Sequence, residues 1–309
     1  MGIHQYAFLD KGFLEFKDAK ISVMTHAFMY GTAVFEGIRA YWNPETKKLH
    51  ALFVREHLER LLQSAKIMRM QPDLSVNDME KIVLDLLRKN APTNDAYVRP
   101  SWFKSCTRIG PNLISPNGEN EDSFVCTSID LGDYLDTSKG LSVQVASWRR
   151  ISDNAIPARA KVNGSYVNTA LSKSSAHLAG FDDAIFLTED GDVAEGSAMN
   201  LFIVRNGKLI TSGITDNILE GITRNFVIEL AQNELGIEVE SRTIDRTELY
   251  VAEEAFFVGT GAQISPIGRI DNYEIGDTGM GPICKQLQAL YSEICKGNND
   301  KYKHVLTEV

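Results

Sequence analysis

Glu195 lies in "DVAEGSAMNLFIVRNGKLIT", just before a Gly-Ser pair at the start of an apolar run. A carboxylate in that position can hold a proton on a basic partner, because an opposite charge at contact favours the charged form. Taken alone, it reads first as a charged residue on a loop. Lys161, in "PARAKVNGSYVN", sits between a strand-rich segment and a turn into a helix. A long primary amine is a nucleophile and, once neutral, a base. Most lysines are simply solvated, and composition does not select this one. Tyr97 and Arg99 in "AYVRP" alternate on an extended run, so both point to one face. A phenol beside a guanidinium suits a carboxylate, or forms a surface cross-strand pair. "AVFEGIRAY" repeats the alternation with Phe35, Gly37 and Arg39. Gly37 leaves a gap that either a ligand or a neighbouring strand can fill.

Two glycine-bearing segments can bind an anion. In "LEGITRNFV", Gly221 precedes an amphipathic helix with Thr223 in its first turn. Unpaired N–H groups and the helix dipole make such a start an anion site, or it is merely a helix that begins after a glycine. In "GTGAQIS", two glycines flank Thr260 after an apolar strand, which reads as a backbone cradle or an ordinary tight turn. Other chemistries are not supported. There is no G-x-S-x-G elbow and no P-loop. "GMGPIC" and "GTGAQI" lack the third glycine of a dinucleotide fingerprint. No H-E-x-x-H occurs, and Cys106, Cys126, Cys284 and Cys295 have no metal spacing. No metal site is expected, and the thiols read as buried and reduced.

The elements that must position these residues follow from periodicity. "REHLERLLQSAKIMRM" reads as a helix over 55–70. A second helix follows Ser75, whose pairing with Asp78 resembles a capping box, with Met79, Ile82, Val83, Leu86 and Leu87 inward. "DAYVRPSWFKS" reads as a strand in which Pro100 marks an edge or an interruption. Residues 111–140 change character, with "PNLISPNGENED" a polar loop and "LGDYLDTSKG" a second irregular stretch, and the domain linker falls near 130–140. Beyond it "LSVQVASW", "DAIFLT" and "EAFFV" read as strands. "LFIVR-NG-KLIT" is a hairpin turning at Asn206-Gly207. A helix ending at Gly180 places Val167, Ala170, Leu171, Ser174 and Leu178 on its apolar face. Another runs from Ile222 to Gly236, with Ile222, Phe226, Val227, Leu230, Ala231 and Leu235 inward. Strands and helices alternate irregularly, which predicts two α/β or α+β domains.

The chain has 309 residues and a net charge of −9, so nucleic acid is disfavoured as a partner. No run approaches the ~20 apolar residues of a membrane helix. The N-terminal "MGIHQYAFLDKGF" lacks the pattern of a signal peptide, so a cytoplasmic location is expected.

Taken together, "EGSAMNLF", "LIT" and "LEGITR" resemble the signature of the class IV aminotransferases, pyridoxal-5′-phosphate (PLP) enzymes of fold type IV. "HAFMYGTAVFEGIRAY", "REHLERLLQSAKI", "AYVRP", "IPARAKVNGSYVN" and "GTGAQISP" extend the resemblance over nearly the whole chain, to the branched-chain amino acid aminotransferases. The resemblance implies a two-domain fold like that of D-amino acid aminotransferase. A small α/β domain would span 1–130, an interdomain loop 131–140, and a large α/β domain 141–309, carrying the PLP lysine.

By the same resemblance Lys161 is the catalytic, cofactor-linked lysine and Glu195 the partner of the ring nitrogen. Arg60, Leu219, Gly221, Ile222, Thr223 and Thr260 surround the cofactor and its phosphate, and Tyr166 meets its phenolic oxygen. Tyr30, Phe35, Gly37, Tyr97 and Tyr134 form the substrate wall. Arg99 receives the side-chain carboxylate of glutamate, and Thr260, Gly261 and Ala262 hold the α-carboxylate. The turn is Thr-Gly-Ala where family members often have Thr-Ala-Ala. The implied reaction moves an amino group between L-leucine, L-isoleucine or L-valine and 2-oxoglutarate. The implied partners are small amino acids and 2-oxo acids, and the implied assembly is a homodimer or homohexamer. The alternatives are another class IV enzyme, a D-amino acid aminotransferase or an aminodeoxychorismate lyase, or a PLP-free module on the same fold.

Overall fold

The computed structural model of the chain describes residues 2–132, 140–276 and 279–309. Two sheets organise two compact units. The first unit is Met1–Gly132, Ala160–Ser165 and Glu293–Val309; the second is Asp133–Arg159 and Tyr166–Ser292. The sequence predicts continuous domains that change over at 131–140. The first unit breaks there too, yet it also recruits the segment carrying Lys161 and the C-terminal end. The cause is pairing at long range. Val162 bridges Val34, Phe35 N donates to Lys161 O at 3.1 Å, and Gly164 N donates to Gly31 O at 3.1 Å. Strand Leu306–Glu308 pairs antiparallel with Lys48–Leu52. Local periodicity carries no trace of such partners.

The first sheet runs in the order Leu306–Glu308, Lys48–Leu52, Ile38–Asn43, Ala96–Lys104, Asp122–Asp130, Tyr6–Leu9, Gly12–Glu15. Strand Ala96–Lys104 is central, so Pro100 does not mark an edge. It marks an interruption on one side. There Ile38–Asn43 pairs with Ala96–Val98, Ala33–Phe35 pairs with Ser101–Phe103, and Glu36-Gly37 fills the gap opposite Pro100. Proline has no N–H to give, and the chain switches neighbours at that point. Two helices accompany this sheet, Val54–Ile67 and Val76–Asn90. The second carries the expected capping box. Ser75 accepts from the Asp78 amide, and the Asp78 side chain accepts from the Ser75 amide. Met79, Val83, Leu86 and Leu87 are buried along one stripe, with Ile82 half-buried.

The second sheet is mixed. Its order is Val193–Gly196, Asp183–Leu187, Leu141–Arg149, Gln263–Ile270, Glu254–Gly259, Asn200–Arg205, Lys208–Thr211, Val239–Ser241. Leu141–Arg149 runs parallel to both its neighbours. The hairpin at Asn206-Gly207 forms as predicted, with φ of 52° and 71°, the left-handed pair that matches strand twist. Val143, Ile185, Leu201, Ile203, Phe257 and Ile267 belong to its main core.

Helix Tyr166–Leu178 corrects an expectation. Its buried residues are Ser172 and Ala176, while Val167, Leu171 and Leu178 are 65%, 42% and 91% exposed. Ala170 and Ser174 are exposed as well. The period is right and the face is reversed. Ala176 packs with Ala146, Ala184, Phe186 and Ala194, a surface that admits a helix through small side chains. Helix Ile222–Asn233 ends before Gly236, so Leu235 lies beyond it and Ile222 is half-buried. Phe226, Val227, Leu230 and Ala231 are buried as expected. Among the described residues no helix is long and apolar enough to cross a membrane.

Candidate active site

In the first unit, helix Val54–Ile67 carries His57, Arg60 and Ser64 at i, i+3 and i+7, one polar stripe beside buried Leu58, Leu61 and Ala65. Each member has a partner. Ser64 Oγ accepts from the Lys161 amide at 3.2 Å. Arg60 grips Glu36 with Nε at 2.6 Å and Nη2 at 2.8 Å. His57 Nδ1 lies 2.7 Å from Glu36 Oε2. Glu36 is fully buried. Burial pushes its carboxyl up, but the Arg60 charge and the His57 bond outweigh it, so the group sits well below the usual carboxylate range. Burial holds His57 below the ordinary imidazole value, opposed by Glu36 and aided by the charges of Arg60 and Lys161. The imidazole is therefore neutral and donates from Nδ1.

The Lys161 backbone is pinned on both sides, by Ser64 and by Phe35 N. Its Nζ lies 5.0 Å from the centre of the Phe35 ring, and the Arg99 guanidinium carbon lies 4.4 Å from the same ring. Arg99 Nη2 donates to Tyr97 Oη at 3.4 Å. The predicted residues Lys161, Phe35, Tyr97 and Arg99 thus form one cluster. The gap at Gly37 is filled by its neighbour: a Cβ there would come within 2.2 Å of Tyr97 Oη. The close approach of Tyr97 therefore requires the glycine. Arg39 is buried and donates to the carbonyls of Leu131 and Gly132. Tyr30 closes helix His26–Tyr30, where its phenol oxygen accepts from the Gly110 amide at 2.9 Å. Tyr134 lies outside the described residues.

In the second unit, Glu195 is 4% exposed in strand Val193–Gly196. Arg150 Nη2 lies 2.7 Å from its Oε1. Asn200 Nδ2 donates to Oε2 at 2.9 Å, and the Leu219 amide approaches both oxygens at 3.3 and 3.4 Å. These donors meet both carboxylate oxygens away from water. Asn200 Nδ2 also donates to Leu219 O at 3.0 Å, tying Glu195 to the chain entering helix Ile222–Asn233. Gly221 caps that helix without a side-chain hydrogen bond, and Thr223 is buried in its first turn. A Cβ on Gly221 would meet Asn200 Oδ1 at 2.0 Å. Tyr166 opens helix Tyr166–Leu178 and is half-buried. Thr260, Gly261 and Ala262 form the turn between strands Glu254–Gly259 and Gln263–Ile270. Ser265 Oγ donates to Ala262 O at 2.7 Å, and the left-handed φ of 56° falls on Gln263.

Glu36, His57, Arg150 and Asn200 escaped the sequence reading. Glu36 and Asn200 lie inside the motifs "FEGIR" and "AMNLF", and the signal that could have found them is a polar side chain inside an apolar run. Arg150, in "SWRRIS", carries no such signal.

The Amino-transferase class IV family matches residues 33–270, and the chain belongs to it. The more particular likeness is to branched-chain enzymes. The chain is 47% identical, over 98% of its length and 96% of the relative's, to a probable branched-chain-amino-acid aminotransferase of Aquifex aeolicus strain VF5. A crystal structure of the branched-chain aminotransferase from Thermoproteus uzoniensis with norvaline matches at TM-score 0.92 and 39% identity, covering 99% of each chain. The branched-chain amino acid aminotransferase from Thermobaculum terrenum in PLP-form matches at TM-score 0.93 and 36% identity, covering 100% of this chain and 99% of that one.

Proposed function

We propose that this chain is a PLP-dependent branched-chain amino acid aminotransferase. It moves the amino group between L-leucine, L-isoleucine or L-valine and 2-oxoglutarate, giving branched 2-oxo acids and L-glutamate. The observation that carries the reading is Glu195, a nearly dry carboxylate with three donors, joined through Asn200 to a helix start that has no room for a side chain at Gly221. Each unit carries groups that fit a part of PLP: the first a primary amine and an arginine, the second a buried carboxylate suited to a protonated ring nitrogen and a helix N-terminus suited to a phosphate.

When bound, PLP supplies an electron sink that makes the α-C–H bond of the amino acid acidic. Lys161 Nζ would hold the cofactor and, as a neutral amine, would accept and return the α-proton. Glu195 would keep the proton on the ring nitrogen. Arg60, the Ile222 and Thr223 amides and the Thr223 and Thr260 hydroxyls would bind the phosphate, beside Leu219 and Gly221. Tyr166 would meet the phenolic oxygen of the ring. Phe35, Gly37, Tyr30 and Tyr97 would form the side-chain wall, and Thr260, Gly261 and Ala262 would bind the α-carboxylate. Arg99 beside Tyr97 receives the second carboxylate of glutamate. An apolar wall separates Leu, Ile and Val weakly, since one methylene is worth about 1–3 kcal/mol.

The free thiols support a cytoplasmic location. Large apolar side chains in solvent, Phe28 and Met29 on one short helix and Val167, Leu171 and Leu178 on another, support a homodimer or homohexamer. The test is direct. The purified protein should show a near-visible band that changes on adding L-leucine and recovers with 2-oxoglutarate. Lys161→Ala should lose turnover. A protein without the band, or a Lys161→Ala variant at full rate, would end this reading. D-alanine turnover without L-leucine turnover would replace it with a D-amino acid aminotransferase.

A further inference from the structure

Arg60 is not an isolated cation. The Glu36 carboxylate bridges it to His57 through three short approaches, Arg60 Nε at 2.6 Å, Arg60 Nη2 at 2.8 Å and His57 Nδ1 at 2.7 Å, with the Gly37 amide farther off at 3.4 Å. The Glu36 backbone is fixed in turn, its amide donating to Pro100 O at 2.9 Å in the central strand. Side-chain exposure is 0% for Glu36, 4% for His57 and 11% for Arg60. Burying a carboxylate this completely costs free energy, and a well-packed apolar side chain in its place is often neutral or better for stability. The fold therefore gains little from Glu36 as a stabiliser alone.

We propose that Glu36, with His57 behind it, is a positioning residue that sets the plane of the Arg60 guanidinium for the phosphate of the cofactor. This rests on the reading of Arg60 as a phosphate ligand. A guanidinium on a long side chain has several rotamers, and its donors act in fixed directions. Two-point contact along the Nε–Nη2 edge fixes that plane, and with it the direction of every other N–H. His57 has the same effect on Glu36: a neutral imidazole donating from Nδ1 stops the carboxylate from turning. The pair also balances the charge of Arg60, so the contribution to phosphate binding is orientation rather than net charge.

Charge and orientation predict opposite outcomes. Removing the Glu36 charge leaves the site more positive, which by itself tightens an anion. A glutamine there turns an N–H₂ toward Arg60 or His57, donor against donor, which mis-sets the guanidinium. The full-length protein is freed of cofactor and titrated with PLP and with pyridoxal, which differs only in lacking the phosphate. We expect Glu36→Gln to weaken PLP about tenfold, one charge-assisted hydrogen bond, and to leave pyridoxal unchanged. His57→Ala should lose part of the preference for PLP, and His57→Asn, which keeps a donor near Nδ1, should restore it. In an Arg60→Ala background the Glu36→Gln effect should vanish. Should Glu36→Gln fail to fold, the two His57 variants decide. Equal losses for PLP and pyridoxal, a tighter PLP complex, or a preference untouched by Glu36→Gln and by His57→Ala each overturn the positioning role. A wild-type protein with no preference for PLP over pyridoxal overturns the phosphate reading of Arg60, and the proposal with it.

Discussion

A carboxylate meant to keep a ring nitrogen protonated must itself stay ionised while nearly dry. Around Glu195 three donors meet that need, from Arg150, Asn200 and the Leu219 amide. Glu195→Gln keeps the shape and removes the charge. It is expected to bind PLP within about tenfold of wild type and to lose at least a hundredfold in kcat, the scale of a lost proton-holding group. Stopped-flow half-reactions with L-leucine measure the loss, and a near-normal rate would leave Glu195 a buried structural carboxylate with no part in the reaction. His57 makes a second prediction, on stability. Its folded pKa lies below the ordinary 6.5, so the unfolded chain binds a proton that the folded chain refuses. Stability therefore falls as pH drops below about 6.5 toward the folded value. Glu36, lowered from 4.5, has stability present above that value and lost only as pH falls through its folded pKa. From pH 7 down to about 5 the His57 contribution acts without that of Glu36. The melting temperature of wild type should fall by a few degrees more than that of His57→Asn, and equal slopes would refute the assignment. Lys161 and Glu195 were legible only through the motifs that carry the family resemblance, since composition selects neither. The residues holding them were not, because Ser64 meets Lys161 and Arg150 meets Glu195 only through contacts distant in sequence.

Among the elements, the best-read were those whose signal is local. The capping box at Ser75 and the hairpin at Asn206-Gly207 depend on neighbouring residues alone, and both form as predicted. Helix Tyr166–Leu178 shows where this fails. Apolar spacing names a stripe, but which stripe turns inward depends on the shape of the sheet beneath, and small side chains won. Gly221 shows an element serving the site. Its missing side chain lets Asn200 reach both Glu195 and Leu219 O. Gly221→Ala should destabilise the protein by about 1–3 kcal/mol, the usual cost of overpacking, and should lower kcat by displacing Asn200 from Glu195. Gly12→Ala, with nothing within 4 Å of the added carbon, is the control and should change neither. Urea unfolding and steady-state rates on both variants check the claim, which fails if Gly221→Ala behaves like Gly12→Ala.

At the scale of the molecule, pattern and length pointed to two α/β units, while the recruitment of Ala160–Ser165 and Glu293–Val309 into the first was hidden, since it rests on pairings distant in sequence. The reversed helix face has a consequence at this scale. Val167, Leu171 and Leu178 lie at i, i+4 and i+11, within about 40° of one another around the axis, so they form a single stripe. A stripe of large apolar side chains in solvent is costly for a lone chain, and covering each contributes about 1.5–3 kcal/mol. A second copy of the chain is the expected cover, in a homodimer or within a homohexamer. The assembly should therefore sediment at a multiple of the 34.4 kDa chain mass. Leu171→Asp combined with Leu178→Asp places two carboxylates where the partner must be dry, which an apolar interface does not tolerate. Both positions are exposed in the single chain, so its own fold should survive, with an unchanged far-ultraviolet spectrum and a smaller mass by sedimentation equilibrium. If the double variant keeps the wild-type mass, this helix face is not the interface, and Phe28 and Met29 become the next surface to change.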